Sequence, residues 1–265
     1  GVTVRDNHIE DVPGGAGIWF DTTVSRSIVA NNTVIGNSAF GSSYRMKNGI
    51  EIEGCDGGFY DGVQYKTYVV GNRVSDCRAG GILLFDSGHI EVWNNTVSAA
   101  VAVYLWQDYR ENTGAKAATE GTPTQSPWHT NNIGVVNNII IPEEVYKTQL
   151  RAQCNADAAY KISGGAMFSR IAGNWLRPQG TGLMAYFSDA AGSTWSNRST
   201  LAALETTSAT HGGPLAAIMS GNYQGETAPS AAGADAFPAN SAAISGVRVG
   251  HKAVGPVRLP PAPVN

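Results

Sequence analysis

The sequence predicts an all-β solenoid, a chain of short strands coiled so that equivalent residues stack from one turn to the next. Three observations carry this. An Asn recurs inside a Val-x-x-Asn-x-Val/Ile frame along most of the chain. A glycine repeatedly opens a short alternating strand. The stretch 80–107, GGILLFDSGHIEVWNNTVSAAVAVYLWQ, runs through two strands and restarts at Ala102 with no helix-period segment between them.

The Asn series is Asn7, Asn32, Asn72, Asn95, Asn138 and Asn174, with spacings of 25, 40, 23, 43 and 36 residues. A base turn of about 23–25 residues, lengthened by loops of about 10–20, accounts for all of them. Asn at a repeated bend can hold the left-handed conformation, and its amide can bond to the Asn one turn above. A stacked ladder therefore explains Asn31-Asn32-Thr33 and Asn94-Asn95-Thr96 better than their glycosylation sequons do.

The glycine-led strands are Gly17-Ile18-Trp19-Phe20-Asp21, Gly49-Ile50-Glu51-Ile52-Glu53 and Gly81-Ile82-Leu83-Leu84-Phe85, then Ala102 to Trp106. Gly182-Leu183-Met184-Ala185-Tyr186 reads as a degenerate copy. Strand side chains alternate faces, so Ile18, Phe20, Ile50, Ile52, Ile82, Leu84, Val103 and Leu105 point into the core. Two short strands per turn are expected. Loops interrupt the repeat at 55–68, at 108–130 (with Glu111, Glu120, Trp128 and His129) and at 142–156, where 143–151 reads as a short helix. From Ser193 the character changes: 199–205 reads as a helix capped by Ser199. After Gly225 the chain is rich in Ala, Pro and Ser, and 259–263 reads as a loose tail.

Composition narrows the function classes. With 265 residues, 42% hydrophobic, 15% charged and a net charge of -3, the chain can bury one sizeable core. It has no basic run to bind nucleic acid. No apolar stretch approaches the roughly 20 residues of a membrane helix. No CxxC, HExxH, phosphate loop or GxSxG elbow is present, so no cofactor is expected; calcium at clustered acids has no motif behind it. Gly1 to Val4 already reads as strand, so the natural start is expected upstream. Cys55 and Cys77 fall at comparable places in successive turns, which leaves a disulfide and a pair of buried thiols both open.

The segments GIWFD (17–21), VANNTVIGN (29–37), GIEIEGC (49–55), IEVWNNTV (90–97) and the Asn137-Asn138 pair resemble the right-handed parallel β-helix proteins of the pectin-lyase-like superfamily, in particular secreted bacterial β-helix repeat proteins. The resemblance covers residues 1 to about 190. It implies a β-helix domain over 1–225, closed by a segment over 226–265 in which 237–244 resembles the end of such solenoids. It also implies a secreted or cell-surface protein.

In this register the outward positions are Trp19 and Asp21, Glu51 and Glu53, Leu83 and Phe85, and Tyr104 and Trp106. Adjacent coils lie about 4.8 Å apart, which sets Asp21 one coil from Glu53 and Trp19 one coil from Glu51. Aromatic faces take the apolar face of a sugar ring, and carboxylates accept from its hydroxyls. Asp21, Glu51 and Glu53 are the candidate catalytic acids of a glycoside hydrolase or transglycosylase. Trp19, Tyr104 and Trp106 are the candidate sugar platform, with Arg45, Lys47, Asp86, His89 and Asp108 as further candidate substrate contacts. Arg45 and Lys47 also open an alternative, a lyase acting on a uronic acid polymer. A third reading is a non-catalytic glycan-binding or adhesive module, in which the outward acids are solubilising. The expected partner is a polysaccharide or oligosaccharide, and self-association into a homo-oligomer remains open.

Overall fold

The computed structural model of the chain describes residues 1–21, 25–36, 46–55, 59–60, 63–108, 111–112, 126–127, 129–142, 148–155, 158, 162–176, 185–206, 208–209 and 213–224. Its strands stack in parallel into three faces. Face A is a seven-stranded sheet: Thr3–Arg5, Ile28–Ala30, Thr67–Val70, Ile90–Trp93, Ile133–Val136, Phe168–Ala172 and Met219–Ser220. Face B follows it in every coil, from His8–Glu10 and Thr33–Ile35 to Ile139–Pro142, Trp175–Leu176 and Tyr223–Gln224. Face C comprises Ala16–Asp21, Asn48–Glu53, Thr148–Cys154 and Ala185–Ser188, with the second halves of two longer strands between them. Those two, Arg73–Phe85 and Thr96–Gln107, run from face B into face C as single bent strands; their register shifts at Ser75, Cys77 and Gly80. A bulge of this kind bends a strand without ending it. Among the described residues the first six coils thus have three strand segments each where the sequence predicts two, because the Asn frame itself contains two short strands around a corner.

The predicted core holds. Ile18, Phe20, Ile50, Ile52, Ile82, Leu84, Val103 and Leu105 are all buried, joined by Val29, Val69, Val92, Val135 and Ile171 from face A. The glycines that open the face C strands have a steric reason. A Cβ on Gly49 would lie 2.7 Å from the Gly81 carbonyl oxygen, and one on Gly81 would lie 2.8 Å from that of Ala102. The corner between faces B and C is too close for side chains there.

The Asn ladder runs at the corner between faces A and B. Asn7, Asn32, Asn72, Asn95, Asn138 and Asn174 each donate from Nδ2 to the Oδ1 of the next, at 2.9–3.0 Å, and the series ends on Asn222. From Asn32 onward each Nδ2 also donates to a carbonyl on the coil before it, such as Val69 O for Asn95 at 2.9 Å. The left-handed residue, however, is the one before the ladder Asn. Asp6, Asn31, Gly71, Asn94, Asn137, Gly173 and Gly221 have φ between 54° and 66°. The bend falls there because the ladder amide must point inward along the axis.

Other expectations change. Cys55, Cys77 and Cys154 are buried thiols outside any disulfide. Cys55 follows a face C strand, whereas Cys77 sits in a bend with its Sγ 4.0 Å from Met46 Sδ, so the two positions are not equivalent. The helix read over 143–151 gives way at its end to the strand Thr148–Cys154, which pairs with Thr96–Gln107; 143–147 lie outside the described residues. The helix Leu201–Glu205 is capped by Thr200, whose hydroxyl accepts from Ala203 N at 3.1 Å, rather than by Ser199. Ala185–Ser188 is the later strand the degenerate copy pointed to, while 182–184 lie outside the described residues, as does everything from 225 to 265.

Candidate functional site

Alternation along the face C strands puts two columns of side chains on the outside of the solenoid. Strand register aligns Trp19, Glu51, Leu83, Tyr104, Arg151 and Tyr186 in the first, coil after coil. The second runs Asp21, Glu53, Phe85, Trp106 and Gln153. The predicted pairings of Trp19 with Glu51 and of Asp21 with Glu53 are the observed ones.

The acidic end occupies the first two of these coils. Trp19 is 58% exposed, an unusual position for the largest apolar side chain, and its Nε1 donates to Glu53 Oε2 at 2.9 Å. Glu53 is only 5% exposed although it points outward. Asp21 beside it is exposed. Glu51 is half-buried and accepts from Asn48 Nδ2 at 2.7 Å, which fixes its carboxylate at the entry to the strand.

The aromatic end follows. Leu83 is buried, and Phe85 packs against Trp106 with ring centroids 4.7 Å apart. Tyr104 and Trp106 lie parallel at 5.8 Å. Tyr104 donates its hydroxyl to Gln153 Oε1 at 2.8 Å, and Arg151 Nη2 donates to the same oxygen at 2.8 Å. The Arg151 guanidinium stacks over both Tyr104 (4.8 Å) and Tyr186 (5.4 Å). Burial pushes the Tyr104 hydroxyl pKa up, against the opposing pull of Arg151 and with a smaller push from Asp108, so this phenol stays a neutral donor.

Beside these rings lies a cavity of about 530 Å³ lined by Arg78, Ala79, Ala100, Val101, Tyr104, Thr148, Arg151 and Tyr186. Its floor is small residues at the bend between faces B and C, where the strands lack the side chains that would fill it. Lys47 is exposed one coil earlier, its carbonyl accepting from Ala79 N at 2.9 Å.

The remaining predicted contacts are placed differently. Asp86 is fully buried at the corner after face C, with φ 45°, and accepts from Gln107 Nε2 and Asp108 N. This corrects its reading as a substrate contact: burial removes the carboxylate from any ligand. Asp108 accepts from Asn155 Nδ2 at 2.7 Å, Asn155 accepts from Gln153 Nε2 at 2.6 Å, and the chain of bonds ends at Tyr104 and Arg151. Asp86 and Asp108 thus hold the aromatic end in place. His89 is half-buried at the next corner with φ 53°, its backbone N–H donated to Asn131 O. Arg45 lies outside the described residues, as do most of the 108–130 insertion and its Glu120 and Trp128. Among the described residues no group of three or more His, Cys, Asp or Glu could hold a metal ion.

Sequence reasoning missed Arg78, Arg151, Gln153 and Tyr186. The signal was the alternation of Leu150, Ala152 and Cys154, which turns Arg151 and Gln153 outward and which the helical reading hid.

Stacked parallel coils, an internal Asn ladder and an outward aromatic–carboxylate face define a parallel β-helix protein. Residues 1–138 match the family model of the right handed beta helix region, and the chain belongs to that family. No curated protein and no solved structure matches the chain. The fold fits the pectin-lyase-like scaffold on which carbohydrate-active proteins are built, and such a scaffold carries many activities.

Proposed function

We propose that the protein is a carbohydrate-active enzyme, secreted or at the cell surface, that binds a polysaccharide along face C and cleaves it as a glycoside hydrolase or transglycosylase. The observation that carries this is the first two coils of the groove. An exposed Trp19 donates its indole N–H to Glu53, and Glu53 lies one coil from Asp21. The coil spacing of about 4.8 Å is near the roughly 5–5.5 Å carboxyl separation of retaining glycosidases. In this reading Glu53, the shielded member, is the general acid and Asp21, the exposed member, is the nucleophile. Glu51, held by Asn48, accepts from a sugar hydroxyl, and Trp19 gives the sugar ring an apolar platform.

The test is a panel of polysaccharides digested by wild type, Asp21→Asn and Glu53→Gln, read for new reducing ends, ultraviolet absorbance and retained binding. The expected result is release of reducing ends that falls roughly a hundredfold or more in each variant, with folding intact by circular dichroism. The first-formed product should keep its anomeric configuration. Undiminished cleavage in both variants would remove catalysis from this pair. A rise in absorbance would make the protein a lyase, and binding without products a glycan-binding module.

A further inference from the structure

Two patches on the outside of faces A and B are apolar yet shut off from solvent. On face A, Ile28, Ala30 and Val70 point away from the core, since Val29 and Val69 beside them point into it, and all three are buried. They form a cluster of their own, with Tyr68 and Trp93 packed against it. On face B, Ile139 and Trp175 are outward neighbours in register, preceding the inward Ile140 and Leu176, and both are fully buried. These strands pack with their sheet neighbours and with Thr148–Cys154, which continues Ile139–Pro142 onto face C. Among the described elements none crosses the outside of either patch.

The polar atoms there select the kind of cover that fits. Asn137 stands at the corner between the two faces. Its Oδ1 and the Trp175 Nε1 are buried without a hydrogen-bond partner among the described residues. Leaving a buried acceptor and a buried donor unpaired is costly, and native structures pair them. A helix lying here would offer neither bond, because its backbone groups are paired within it. An extended chain offers both an N–H and a carbonyl, with side chains to cover the apolar patches. The chain supplies such a segment. Its last described strand, Tyr223–Gln224, pairs with Trp175–Leu176 on face B, one coil beyond Trp175. From there back to Ala30 is five coil spacings, roughly 25 Å, which about eight extended residues span. Residues 225–265 exceed that length several times over, and the run 236–247 carries no charge while including Phe237, Pro238, Ile244 and Val247. Such a run seats on an apolar surface without burying a charge, and its proline and glycine disfavour a helix.

We propose that residues 225–265 turn back after Gln224 and run outside the solenoid as an extended strap over the corner between faces A and B, with the uncharged run 236–247 seated on Trp175, Ile139, Val70 and Ala30. A backbone carbonyl of the strap takes the Trp175 indole N–H, and a backbone N–H reaches Asn137 Oδ1. The strap lies on the two faces that the groove leaves unused, so it stands apart from the chemistry proposed for face C.

The test uses the full chain with a specific protease site inserted after Ser230. Cleavage of the folded protein is followed by size-exclusion chromatography with light scattering. The expected result is that the 231–265 fragment stays with the solenoid at the mass of a single copy. Phe237→Asp and Ile244→Asp should each weaken its retention by on the order of tenfold or more, because each sets a charge against an apolar seat. In the uncut chain the Trp175 indole N–H is assigned by nuclear magnetic resonance against Trp175→Phe. It should exchange with solvent on the order of tenfold faster in both Asp variants, with circular dichroism unchanged. A fragment that elutes free from the cleaved wild type while the coils stay folded would overturn the strap. So would Trp175 exchange that is the same in both variants as in wild type. A dimeric mass, with the fragment passing between copies, would make a second copy the occupant and overturn the fold-back.

Discussion

Glu91 shows how a single position on this scaffold is decided by its neighbour on the next coil. It points outward on face A, is 7% exposed, and lies between Lys66 Nζ and Arg170 Nη2, in register with Gly134. A Cβ at Gly134 would fall 2.0 Å from Glu91 Oε2, so the carboxylate occupies the space that a side chain would take. The glycine is there for room. Gly134→Ala is expected to push the carboxylate away from its cations and cost about 1–2 kcal/mol. In a Glu91→Ala background the same substitution should cost close to nothing. A double-mutant cycle on unfolding midpoints measures the difference, and additive losses would show that Glu91 is not what Gly134 accommodates.

Individual strands explain what the sequence did and did not disclose. Face C was legible where a Gly opened it and apolar residues alternated, as at Ile50 and Ile52 or Ile82 and Leu84. There the core pattern and the turn chemistry agree. The strand Thr148–Cys154 was not legible because Gln149 stands where the opening Gly would, level with Ala102 and Gly81, and the inward set is Leu150, Ala152 and a cysteine. Arg78 was hidden by the bulge, since a register shift breaks the period that assigns faces. The candidate acids could be placed from alternation alone. The cationic cavity could not, because it is made by bends and by small residues. The glycine corner gives the element its own test. A Cβ on Gly81 would stand 2.3 Å from Val97 Cγ1 and 2.8 Å from the Ala102 carbonyl, and a backbone oxygen cannot swing aside. Gly81→Ala should therefore cost on the order of 2–3 kcal/mol by overpacking. Gly15→Ala, whose Cβ meets only Val12 at 3.4 Å, should stay within about 0.5 kcal/mol. Chemical denaturation of both variants checks this, and equal losses would mean that strand entropy, rather than the corner, sets the preference.

Across the whole molecule the coils touch only their neighbours, so whatever runs through all of them couples the groove's two ends. The Asn ladder is one such feature, and its members are not equal. Asn95 is fully buried: its Oδ1 accepts from Asn72 N and Nδ2, and its Nδ2 donates to Val69 O and Asn138 Oδ1. Its corner leads into Thr96–Gln107, the strand that carries Tyr104 and Trp106. Asn7 is exposed at the first coil, and its amide donates to Arg5 O and Asn32 Oδ1. Asn95→Ala would strand several buried partners, each costing about 1–3 kcal/mol, so a loss on the order of 3–5 kcal/mol is expected. Asn7→Ala leaves groups that water reaches, and about 0.5–1 kcal/mol is expected. Asn95→Asp should not rescue, because a carboxylate accepts but cannot donate to Val69 or Asn138 and brings an unpaired charge into the interior. Amide hydrogen exchange locates the damage. If the ladder couples coils, Asn95→Ala loses protection at Asn72 and Asn138 as well as at its own corner, while Asn7→Ala loosens only the first coil. Damage confined to the Asn95 corner would make the ladder a set of independent bonds, and the two ends of the groove would then depend on the packed core alone for their alignment.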